Sequence, residues 1–118
     1  MMRKFLIALS LVLFAGQAPA YFTWGIGEMP CSRFVSAKIE FDHARDQRTH
    51  LAQLNWIKGF ITGINWSRDS NIARDLSIET VDAWIDNYCR NNLNDSIAEA
   101  SAALVIHLEG DAGKTGTE

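Results

Sequence analysis

The sequence predicts an all-α protein, a compact bundle of about four helices stapled by one disulfide. Three observations carry that expectation. Apolar residues recur at spacings of three and four through every long segment. The chain has two cysteines and two prolines in 118 residues, with 47% hydrophobic and 21% charged residues, a composition suited to one folded domain. No segment shows the alternation and turn dipeptides of a β-hairpin.

Residues 1–20 read as a cleavable secretory signal. Arg3 and Lys4 form a short positive region, Phe5 to Gly16 is apolar, and Ala18-Pro19-Ala20 puts small residues at the −3 and −1 positions of a cut before Tyr21. A bilayer span needs roughly 20 apolar residues, and Gln17 and Pro19 interrupt any extension, so no membrane association is expected after cleavage. The expected location is periplasmic or secreted. Without Arg3 and Lys4, 9 basic residues face 14 acidic ones, a net charge near −5. That balance lacks the basic surplus that nucleic-acid binding needs. The helical domain is expected over 21–108, with a disordered tail over 109–118.

Export permits a disulfide between Cys31 and Cys89. The expected arrangement is an intramolecular bond, with two buried thiols or a bridge between chains as the alternatives. Closing that loop stabilises by roughly 4 kcal/mol on the chain-entropy model.

The elements follow in order. Gly25 and Gly27 form a loop, and Pro30 opens a short helix running to Val35. A longer helix covers about 46–67, where Leu54, Ile57, Ile61 and Ile64 line one face and Trp56, Phe60 and Gly63 lie to one side. Residues 68–76 form a polar loop. Ser77 is an N-cap for a helix over 78–91, with Glu79 and Asp82 near the positive end of its dipole. Ile78, Val81, Trp84, Ile85, Tyr88 and Cys89 form its apolar face. A last helix covers about 95–108, with Ile97, Ala100, Leu104, Val105 and Leu108 on one face.

No motif for catalysis, cofactor or metal holds up. Gly110 to Thr115 echoes a phosphate-binding loop, but Leu108 stands where its first glycine belongs. Asp69-Ser70-Asn71 opens like a calcium loop, yet Ala73, Arg74 and Thr80 occupy later required positions. His43, Asp46 and His50 share helical spacing without a third metal ligand, and are read as a solvated face. His107 suits a helix end. No serine or cysteine has an activating neighbour, so the expectation is a non-enzyme without cofactor or metal.

Gly59-Phe60-Ile61-Thr62-Gly63 places two glycines inside a helix, at a cost of roughly 2 kcal/mol against alanine. Trp56, Gly59, Phe60 and Gly63 therefore read as a helix-packing motif, with a ring or backbone expected over the glycines. A ligand or partner groove there is the alternative. Trp24 and Trp66 are the candidate apolar partner surface.

The segments Met29-Pro30-Cys31-Ser32-Arg33-Phe34-Val35 and Ile85-Asp86-Asn87-Tyr88-Cys89-Arg90-Asn91-Asn92 resemble the HdeA/HdeB-like group of small periplasmic helical proteins. The resemblance covers most of the chain beyond residue 20 in layout and these two segments in detail. It implies one disulfide between an early and a later helix, a folded homodimer near neutral pH, and an acid-stress chaperone that loosens in acid and holds unfolding clients. The stretch Trp56-x-x-Gly59-Phe60-x-x-Gly63-x-Asn65 is similar instead to Tai-type immunity proteins of type VI secretion, which implies binding to one specific toxin. An accessory envelope protein is the third reading. The charge fits the first. With every carboxylate protonated, 9 basic side chains, three histidines and the amino terminus bring the net charge from near −5 to about +13.

Overall fold

Helix formation follows the apolar spacing. The computed structural model describes residues 22–115, with side chains as far as Asp111. The expected signal segment 1–20 lies outside the described residues. A 3-10 turn, Gly25–Glu28, leads into four helices: α1 Cys31–Asp42, α2 Arg48–Arg68, α3 Ile78–Asn91 and α4 Ile97–Thr115. No strand occurs among the described residues, only an isolated bridge between Pro30 and Ser96.

Local chemistry sets the helix ends. Asp46 accepts hydrogen bonds from the backbone N–H groups of Arg48 and Thr49, covering open donors at the start of α2. Asp69 ends that helix in the left-handed conformation, at φ 50°. Asn65 then shapes the following loop, accepting from the Ile72 N–H and donating to its carbonyl, at 2.8 and 3.1 Å. Ser77 caps α3 through the Thr80 N–H, as the sequence predicts. Ser96 and Glu99 cap α4 reciprocally, each side chain taking the other's backbone N–H.

Two elements run longer than the sequence suggests. The helix after Pro30 continues to Asp42, because Phe34, Ala37 and Phe41 keep a helical spacing whose first two members are buried. The tail expected from Glu109 is helical to Thr115. Glu109 pairs there with Arg68 of α2, and Asp111 pairs with His107 one turn back. Those pairs hold a polar segment in the helix that its composition alone does not favour.

The core lies where α1 packs on α3, α2 on α4, and α3 on α4, with the 3-10 turn seated against α2 and α4. Phe34, Ile57, Ile85 and Ile97 are fully buried at its centre. The Cys31–Cys89 disulfide ties α1 to α3 with the Cα atoms 4.8 Å apart. Main-chain bonds reinforce that corner: the N–H groups of Cys31 and Ser32 donate to Asp95 and Leu93, and that of Ile97 donates to Met29. Tyr88 closes it from the side, donating to Asp95 at 2.6 Å. That hydrogen bond to Asp95, with partial burial and the nearby negative charge, pushes the Tyr88 phenol up to about 12.

Candidate functional site

Two features stand out, a buried polar cluster and an exposed apolar face. The cluster begins with periodicity. His50 continues the inward row of α2 formed by Leu54, Ile57 and Ile61, and Asp82 falls in the row Ile78, Ile85, Cys89 of α3. Both side chains therefore enter the interior. His50 is fully buried between the rings of Phe34 and Phe41, with ring centroids 5.1 and 5.0 Å away. Its Nε2 donates to Asp82 Oδ2 at 2.9 Å, and Lys38 of α1 donates to the same oxygen at 3.3 Å. One carboxylate thus joins α1, α2 and α3.

Its position in the fold gives that cluster weight. The backbones of α2 and α3 scarcely approach each other, and a groove of about 350 Å³ separates them beneath residues 72–76. Burial pushes the Asp82 carboxyl up, but the hydrogen bond and proximity of His50, together with Lys38, outweigh it and hold the group below the ordinary aspartate value. His50 Nδ1 and Asp82 Oδ1 are buried without a hydrogen-bond partner among the described residues. Such groups carry a desolvation cost, so the cluster is closely balanced.

The solvated-face reading of His43, Asp46 and His50 needs correction at His50. His43 and Asp46 are exposed, while His50 points inward because the core row of α2 begins one turn earlier than its aliphatic residues show. The sequence offered a signal in the two polar residues that fall on otherwise apolar rows. His107 lies beside the Trp84 ring, centroids 5.5 Å apart, well inside α4. Among the described residues, no group of three His, Cys, Asp or Glu side chains is placed to hold a metal ion, and no helix is long and apolar enough to cross a membrane.

The second feature corrects the packing motif. A Cβ added at Gly59 or Gly63 meets nothing within 4 Å among the described residues, and both glycines are exposed. The ring expected above them lies elsewhere: the Trp56 indole covers Gly27, where an added Cβ overlaps both that ring and Thr23. Trp56 is half-buried there, donates to the Trp24 carbonyl at 3.0 Å and stacks on Phe60. Trp24 and Trp66 are 80% and 85% exposed, near opposite ends of this face. Trp24 packs edge-on against Phe22, itself exposed.

Compared with protein-family models, curated proteins and solved structures, the chain matches nothing in any of the three sets.

Proposed function

We propose that this chain is an exported, non-enzymatic chaperone of acid stress, of the HdeA/HdeB kind, that holds unfolding client proteins. The observation that carries this reading is Asp82, a buried carboxylate on which Lys38, His50 and thereby three helices converge. Protonation removes the charge to which both Lys38 and His50 donate. The whole chain becomes strongly positive over the same range, which drives the helices apart. The disulfide still joins α1 to α3, so α2 is the element free to swing away. Its release uncovers Leu54, Ile57 and Ile61, an apolar face for a client.

The test is aggregation of an acid-labile client at pH 2–3 and at pH 7, with and without the protein. Suppression at low pH alone is expected. A chain that stays natively folded in acid and suppresses nothing ends the reading.

A second reading, binding to one toxin or enzyme at neutral pH, is favoured by the exposure of Trp24 and Trp66 in the intact fold. It predicts a tight complex with the product of a neighbouring secreted-toxin gene at pH 7, measured by calorimetry. Absence of binding to that product removes it.

A further inference from the structure

Lys58, Ile61, Thr62 and Asn65 recur at spacings of three and four and share one face of α2. On α3, Ile78 and Val81 stand one turn apart. These two rows border the groove of about 350 Å³ between the helices, and Ile72, Ala73, Arg74 and Leu76 wall its third side. Ile61 and Val81 are buried there, with Ile72 and Ile78 half-buried beside them. The wall is preformed. Asn65 holds Ile72 by both of its backbone groups, and the Leu76 N–H donates to the Ala73 carbonyl. Ala73 sits in the left-handed region at φ 65°, where alanine is uncommon.

Charge selects what fits. Two cationic side chains, Lys58 and Arg74, line this groove, and no carboxylate does. Neither cation has an ion-pair partner among the described residues. All of α2 lacks aspartate and glutamate, in a chain whose 14 acidic residues outnumber 11 basic ones. An apolar trough with two free cations suits a molecule that has an aliphatic chain and one anionic end. The groove on the other side of residues 72–76 offers no such contrast. Arg74 borders it too, but Asp75 and Glu109 line it, and its Arg68 is already paired with Glu109.

We propose that the groove between α2 and α3 binds a free fatty acid of medium chain length. Its chain lies on Ile61, Ile72, Ile78 and Val81, and its carboxylate is taken by Lys58 and Arg74. A zwitterionic lipid headgroup fits less well, since no acid in the groove answers its ammonium. The bound chain bridges two helices whose backbones scarcely approach each other, so occupancy stabilises the fold.

The test is calorimetric titration of the full chain with decanoate at pH 7, below its micelle threshold. One site is expected, with a higher melting temperature at saturation. Each methylene added from octanoate to decanoate should tighten binding by up to about fourfold. Lys58→Gln and Arg74→Gln should each weaken it by about tenfold. Thr62→Trp, which fills the groove from an exposed position, should abolish it. All three variants should keep the helical spectrum. Decyltrimethylammonium should not bind, and a lysophosphatidylcholine of equal chain length should bind more weakly than decanoate. The proposal is overturned by absence of decanoate binding, equal binding of the cationic amphiphile, tighter binding of the lysophospholipid, or an affinity unchanged in both glutamine variants. Loss of binding in Leu108→Trp but not in Thr62→Trp also overturns it, by moving the ligand to the neighbouring groove. Fatty-acid binding at pH 7 and client protection in acid are read separately, so either can fail while the other stands.

Discussion

Gly27 and the pair Gly59 and Gly63 have opposite reasons to be glycine. Gly27 lies buried under the Trp56 ring, so Gly27→Ala forces the indole or Thr23 aside and should destabilise the fold by about 1–3 kcal/mol. At Gly59 and Gly63 a methyl group meets open space, and each alanine should stabilise the monomer by up to about 1 kcal/mol through helix propensity alone. Urea melts of the three variants check this, and a stabilised Gly27→Ala would refute the stacking account. Asp82 makes the pH-dependent prediction. Its carboxyl is held below the ordinary aspartate value, so its ionised form favours folding. That contribution is complete above the unfolded value of about 3.9, and is lost as pH falls through the lower folded value. Asp82→Asn should cost about 1–3 kcal/mol at pH 7 and flatten the acid limb of stability, read from thermal melts between pH 7 and pH 2. An unchanged acid limb would show that other carboxylates govern acid unfolding.

At the scale of elements, capping and periodicity explain what the sequence makes legible. The span of α3, Ile78–Asn91, is readable because Ser77 is a strong cap and the apolar row is unbroken until the asparagines. The start of α4 is set by the reciprocal cap of Ser96 and Glu99, and Ser96→Ala should cost about 1 kcal/mol, with amide exchange in the first turn rising first. Unaltered exchange there would argue against the cap. The far end of α4 is not legible, because Glu109 and Asp111 are held by partners on a neighbouring helix and one turn back. Composition around Gly110 favours a loop, and pairing prevails over it. The outer face of α2 is partly legible. Trp56, Gly59, Phe60 and Gly63 announce that something unusual happens on that face, but spacing cannot say whether a neighbour within the chain fills it.

For the whole molecule, the disulfide divides the bundle into a stapled part and a releasable part. Cys31–Cys89, with the main-chain bonds from residues 29–32 to residues 93–97, joins α1, α3 and the start of α4. Helix α2 is held by apolar packing, the Asp82 cluster and the Arg68–Glu109 pair. Reduction, or Cys31→Ser with Cys89→Ser, should cost roughly 2–5 kcal/mol. The oxidised protein should keep residual helix at pH 2, and the reduced one should lose nearly all of it, as followed by circular dichroism. Equal helix loss in both states would contradict the division into two parts.

The sequence by itself determined the helical class, the number of long helices and most of their limits, and it made the Cys31–Cys89 bond the expected one. Those follow from local spacing and caps, and the expected bond from two thiols in a chain read as exported. Only the tertiary structure decided which polar residues are buried and which apolar ones are bare. His50 and Asp82 meet across 32 positions of chain because each side chain reaches into the space between α2 and α3, while Gly59 and Gly63 stay open because nothing among the described residues covers them. Burial depends on what another segment covers, and one segment's periodicity identifies an apolar face without naming its neighbour.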